Sequence, residues 1–170
     1  ERKMIGRILT FGNLDVANVM VPQVEVTAVD EDATIEDVIE RIKTDGHSSI
    51  LVYKEEIHHI VGVVNARDII AIGDAAHGLL KDKSELIRAP YFVPESKPAD
   101  DLLEEMQKEK LKLAVAVDEY GGCVGVVTME DLVEEIVGEI SDEYNVDEAR
   151  YYQRLMDGVI LVDARMEVEA

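Results

Sequence analysis

Apolar residues recur along the chain in two rhythms. "TIEDVIERI" at 34–42 spaces Ile35, Val38, Ile39 and Ile42 at i, i+3, i+4 and i+7, which predicts a helix with one buried face. "PADDLLEEM" at 98–106 repeats the stripe with Ala99, Leu102, Leu103 and Met106. Each stripe is followed by two short runs rich in Val and Ile. In the first half these are "SSILVY" and "HIVGVV", separated by the polar turn "KEEIH"; in the second they are "KLAVAV" and "CVGVV", separated by "DEYGG". Runs of this length between turn residues predict strands, and the glycines of "DEYGG" permit the positive φ of a hairpin turn.

The second strand of each half enters a further helical segment. "GVVNARDII" at 62–70 reappears as "GVVTMEDLV" at 125–133, 63 positions later, with the glycine, both valines, the Asp and the closing apolar pair retained. Entry strands are expected in "VEVTAVD" and "PYFVPES", so each unit reads strand, helix, strand, strand, helix. Units of about sixty residues bury little surface alone, so the two are expected to pack together. The fold class is α/β (α+β): two tandem repeats, each a small, mostly three-stranded sheet covered by two helices, packed as a pseudo-twofold pair.

Five segments follow. Residues 1–15 carry Met4, Ile5, Ile8 and Leu9 at helical spacing and form a lead-in helix or linker; 16–73 are the first repeat; 74–85, without a clean period, are the connector; 86–140 are the second repeat. Residues 141–170 are a linker and the start of a further unit, with a turn at "DG" before the alternating "VILVDARM". A chain that ends on one strand without an obvious partner is expected to stop inside a third domain.

Composition narrows the partners. Thirty-seven acidic against seventeen basic residues give a net charge of −20, a field that repels nucleic acid and anionic lipid surfaces. An anionic small ligand needs local donors, a helix N-terminus or a bound cation to overcome it. The apolar runs are far shorter than the roughly 18 residues of a membrane span, and the opening "ERKMIGRIL" has no secretory-signal core. Cys123 is the only cysteine, so an intrachain disulfide and a cysteine zinc site are excluded, and a reducing compartment fits best. It reads as a small core residue. His47, His58, His59 and His77 lack a metal-ligand spacing, and no metal residues are assigned. The nine acidic residues between Glu130 and Ala149 read as a solvated face able to attract Mg²⁺ only loosely. No nucleophile–base pair is visible, so the chain is not read as an enzyme.

Candidate chemistry gathers at the strand-to-helix joints. Thr128 and Asp131 have the spacing of a capping box, which satisfies orphan amides and needs no ligand. The same pair could instead present a carboxylate to two ribose hydroxyls, with phosphates at the helix start. Taken by themselves, the residues favour the cap. Asn65 and Asp68, beside Arg67, occupy the equivalent places in the first half and form a weaker second pocket. Val26, Thr27 and Ala28 can line a flat apolar slot or simply belong to a buried strand; His47, Ser48 and Ser49 are the other candidate wall.

The repeat resembles a tandem pair of cystathionine-β-synthase (CBS) domains over about residues 16–140. More narrowly, "VMVPQVEVTAVD", "HSSILVY", "DEYGGCVGVVTMEDLVEEIVGEISDE" and "DGVILVDARM" resemble the CorC/HlyC family of magnesium and cobalt efflux or hemolysin-like proteins, related to the cyclin-M transporters. That resemblance implies a regulatory module that binds an adenine nucleotide, AMP or ATP, with or without Mg²⁺, between the repeats. It implies a homodimer formed through the CBS modules. It also implies a preceding membrane domain, a following transporter-associated domain, and a place on the cytoplasmic face of the cell membrane. On this reading Thr128 and Asp131 hold ligand, and Glu130 lines the pocket edge. The chain departs from its relatives at three points: Ser49 and Gln23 stand where an Arg is usual, and Leu51 where a Pro is usual. Losing two guanidiniums removes phosphate clamps and leaves a nucleoside, a monophosphate or an empty pocket as the readings. The alternative is a ligand-free dimerisation scaffold in which Thr128 and Asp131 act only as caps.

Overall fold

A computed structural model describes residues 2–73, 77–138, 152–154 and 160–162. After helix α1 (Arg2–Phe11) and the short α2 (Val16–Val19), strand β1 (Val21–Pro22) leads through a 3₁₀ turn at Gln23–Glu25 into the first repeat. That repeat comprises β2 (Ala28–Asp30), α3 (Ile35–Asp45), β3 (Ser49–Lys54), β4 (Glu56–Asn65) and α4 (Ala66–Ile72). The second comprises β5 (Phe92–Pro94), α5 (Ala99–Glu109), β6 (Leu113–Val117), β7 (Cys123–Thr128) and α6 (Met129–Val137). A separate pair, β8 (Tyr152–Arg154) and β9 (Ile160–Val162), runs antiparallel. The expected "DG" turn and the acidic stretch beyond Gly138 lie outside the described residues.

The periodic stripes are the buried faces of α3 and α5. Ile35 and Val38 are fully buried in one, Ala99, Leu102 and Met106 in the other. Thr34 starts α3 with a capping box to Asp37, and Gly46 ends it in the left-handed region at φ 72°. Pro98 stands at the corresponding place before α5 and offers no side-chain cap.

Each repeat forms the expected sheet, with its entry strand parallel and its hairpin antiparallel: β2-β3-β4 in the first repeat and β5-β6-β7 in the second. The edges, however, are exchanged. β1, which precedes the first repeat, pairs with β7 of the second through Val21↔Val126 and Pro22↔Gly125. Reciprocally, Arg88, on the way into the second repeat, bridges Val63 of β4 with two backbone hydrogen bonds of 2.9 Å. This explains why the same glycine recurs in both repeats. A Cβ on Gly125 would meet the Val21 carbonyl oxygen at 2.5 Å, and one on Gly62 would meet Ile87 Cγ2 at 2.1 Å. The crossing segment needs the space that a side chain would take.

Three apolar clusters hold the fold. One lies under α5 and α6, a second under α3 and α4, and a third joins the two sheets through Leu51, Ile60, Val63, Val115, Cys123 and Val126. Cys123 is buried as expected, and burial pushes its thiol up from the ordinary value. Leu80 of the connector and Leu86 at the start of the second repeat join the first repeat's core from two 3₁₀ turns.

Two local expectations need correction. The turn read from "KEEIH" contracts to Glu55, at φ 63°, because β4 already starts at Glu56. The lead-in helix forms, but Ile8 and Leu9 are 51% and 70% exposed; α1 packs against α6, and its anchor is the buried Phe11, with half-buried Leu14 packed on the same cluster. At the far end of α6, the Arg7 guanidinium fills the space where a Gly138 side chain would stand. Among the described residues no helix is long and apolar enough to cross a membrane.

Candidate functional site

Because the two sheets face each other, the helices that follow β4 and β7 start beside one another. The equivalence is visible in the backbone: Ala66 N–H donates to the Ser48 carbonyl at 2.9 Å, and Met129 N–H to the Lys112 carbonyl at 3.0 Å. Between these joints lies a cleft of about 770 Å³. The second repeat lines it with Thr128, Glu130 and Asp131, the first with Thr27, His47, Ser48 and Ser49. Asn65 and Asp68 open on the same cleft, so the two pockets read from the sequence are parts of one space. Val26 lines it as well, whereas Ala28 does not: it sits within β2, opposite Leu51, packed against the core between the sheets.

The two helix starts differ in detail. At α6 the Thr128 hydroxyl accepts from Asp131 N–H at 3.1 Å, while Thr128 N–H and its hydroxyl donate to Asp131 Oδ2 at 2.8 and 2.6 Å. Among the described residues, Oδ1 of Asp131 takes no hydrogen bond. Thr34 and Asp37 repeat this arrangement at α3, away from the cleft. Cap geometry alone therefore says nothing about a ligand; what distinguishes Asp131 is the space beside it. At α4 the Asn65 side chain caps nothing and instead accepts from Ser49 Oγ at 2.8 Å. Both oxygens of Asp68 are taken by Arg88, whose Nε and Nη2 donate to them at 2.8 Å each. Thr27 donates its hydroxyl proton to Asp45 at 2.8 Å, so its oxygen meets the cleft as an acceptor.

Sequence reasoning missed two cations here. Arg88 and Lys112 line the cleft together with Arg67. Lys112 was recoverable, since it matches Ser48 across the repeat. Arg88 sits in the lead-in of the second repeat, ahead of its entry strand, where no motif marks it. Gln23 is not among the lining residues, and its Nε2 is buried without a partner among the described residues.

The size suits a nucleotide, since ligand pockets run to roughly 300–1,000 Å³. The residues fit one too. Val21, Val26, Leu51 and Leu113 give apolar wall, and a carboxylate and three cations give polar anchors. At the α6 N-terminus Met129 N–H is held by Lys112 and Asp131 N–H by Thr128, which leaves the Glu130 amide as the donor for a ligand among the described residues. Among the described residues no group of three His, Cys, Asp or Glu could hold a metal ion by itself.

Comparison with known proteins agrees with this architecture. The CBS domain family model matches residues 16–74 and 84–138. Hemolysin C of Brachyspira hyodysenteriae is 36% identical over 99% of this chain, which spans 61% of that protein's length; a mycobacterial relative is matched over only 39% of its length. Among solved structures, the CBS domain of a bacterial CNNM/CorC family Mg²⁺ transporter in complex with ATP is 39% identical with a TM-score of 0.75, covering 82% of this chain and 98% of that one. A CBS-domain pair with bound AMP from Klebsiella pneumoniae is 28% identical with a TM-score of 0.65, covering 74% of this chain and 99% of that one. The chain belongs to the CBS-domain family, as a tandem pair of the kind found in CNNM/CorC and hemolysin C relatives.

Proposed function

We propose that this pair is the nucleotide-sensing regulatory module of a membrane ion transporter of the Mg²⁺ or Co²⁺ type, at the cytoplasmic face, with an adenine nucleotide as its ligand. The observation that carries the reading is the shared cleft at the α6 start, in a chain similar to pairs described with ATP and with AMP. Adenine lies on the apolar wall by Val26 and Thr27, with His47, Ser48 and Ser49 opposite. The ribose hydroxyls donate to Asp131, the phosphates approach the α6 start at Thr128 and the Glu130 amide, and the Glu130 side chain borders the site. Asn65 and Asp68 serve the weaker end. Ligand that favours one packing of the repeats over another shifts that packing, and an attached membrane domain reads the shift. Nothing in this account asks the module to catalyse a reaction.

The paired caps supply the test. Asp131→Ala and Asp37→Ala each remove a capping box and each should cost about 1 kcal/mol of stability. Calorimetric titration with AMP should show binding weakened at least tenfold by Asp131→Ala and unchanged by Asp37→Ala. Equal effects would leave Asp131 as a cap and return the module to a scaffold.

Dimerisation through the same module is the second part of the reading. Ile70 on α4 and Val133 on α6 occupy equivalent places in the repeats, and both are turned outward, 77% and 38% exposed. A surface of this kind is self-complementary about a twofold axis. Sedimentation of Ile70→Glu/Val133→Glu should show monomers where the parent chain shows dimers.

A further inference from the structure

The cleft holds three cations, Arg67, Arg88 and Lys112, and four carboxylates, Glu25, Asp68, Glu130 and Asp131. Within a chain of net charge −20 this is a poor receptacle for a highly charged anion. The cations are not equally available. Among the described residues, Arg67 and Lys112 enter no ion pair, whereas Arg88 is held by Asp68 in a two-pronged contact, the strongest geometry open to a guanidinium and a carboxylate. The backbone of Arg88 is fixed to Val63 by two hydrogen bonds, so only its side chain can swing.

We propose that Asp68 withholds Arg88 and thereby sets how many ligand phosphates the cleft accepts, favouring a nucleoside monophosphate over an unchelated triphosphate. The proposal rests on the nucleotide reading of the cleft. A phosphate monoester carries about −1.5 to −2 near neutral pH, and Arg67 and Lys112 are the cations free to meet it while Asp131 takes the ribose; Glu25 and Glu130 already oppose any further negative charge. A longer phosphate chain exceeds those two cations. Its excess charge can be met by Arg88 only if Arg88 leaves Asp68, and then a bare carboxylate faces the phosphates. A divalent cation on the phosphates is the other way to balance it. The Arg88 side chain is 63% exposed and that of Asp68 23%, so the pair is partly screened and its hold is modest. It acts as a bias on ligand choice, not as a block.

The test titrates the 170-residue chain with adenosine, AMP, ADP and ATP, each in EDTA and in excess Mg²⁺. Asp68→Asn keeps the shape and removes the charge; Asp68→Ser guards against a misfolded amide variant. Freeing Arg88 should tighten ATP in EDTA by about three- to tenfold, ADP by less, and adenosine not at all. Adding Arg88→Met should erase the gain, and the help that Mg²⁺ gives to ATP should shrink in Asp68→Asn. An equal gain for adenosine, a gain that survives Arg88→Met, or no gain in either Asp68 variant while AMP still binds, would overturn the proposal and leave the nucleotide reading standing. Failure of every ligand, adenosine included, in the parent chain would overturn both.

Discussion

The two helix starts that open on the cleft arose from one repeated motif, yet their side chains serve different ends. At α6, Thr128 and Asp131 close on each other and leave one carboxylate oxygen without a hydrogen bond among the described residues, beside the space. At α4, Asn65 turns to Ser49 and Asp68 is consumed by Arg88. A shared backbone therefore does not imply a shared site. What separates the two is the cation that the lead-in of the second repeat brings to one of them.

The same asymmetry extends to the sheet edges, where the largest effect is expected. At Gly125 an added Cβ meets backbone, the Val21 carbonyl; at Gly62 it meets a side-chain methyl of Ile87, with backbone no nearer than 3.4 Å. Gly125→Ala should cost roughly 3 kcal/mol and Gly62→Ala about 1 kcal/mol, since only the latter's neighbour can rotate away. Denaturant midpoints compare the two, and equal losses would show the edges to be equivalent after all.

A smaller effect separates the helix starts themselves. Thr128→Ala removes a working cap and should cost about 1 kcal/mol, while Asn65→Ala removes a single side-chain bond to Ser49 and should cost about half as much. Thermal unfolding of both variants without ligand sharpens the contrast.

The smallest concerns how the leading helices are pinned. In α3 the Thr34 hydroxyl and amide hold the Asp37 carboxyl below its ordinary range. In α5, where Pro98 cannot cap, the Lys97 ammonium and then the Tyr91 hydroxyl hold Glu105 below the ordinary value of 4.5. A carboxylate whose folded pKa is depressed adds stability above its unfolded value, and that stability is lost as pH falls through the folded pKa. Glu105→Gln should flatten the loss of stability below about pH 4.5, and Asp37→Asn that below about pH 3.8. A dependence unchanged in both would remove these carboxylates from the acid response.

Much of this was legible in the residues. The stripes at Ile35 and Val38 and at Leu102 and Met106 are buried because a helix can hide only one face, and spacing reports that face directly. The repeated glycine marked the strand-to-helix joints, and Thr128, Asp131, Ser48 and Ser49 all reach the cleft. Periodicity failed where it had to find a partner: it detects the apolar side of α1 but not what that side touches, and Ile8 and Leu9 face outward. β1 escaped because two residues, one of them proline, carry no alternation. Arg88 escaped because its importance comes from a carboxylate twenty positions away, brought close only by the exchanged edge.

That exchange has a consequence for how such modules can be rebuilt. Cutting the chain between residues 73 and 84 would strip Val21–Pro22 from the rim of one half and Ile87–Arg88 from the rim of the other. Neither half can be replaced as a cassette, and recombination that preserves both must carry them as a single inheritance.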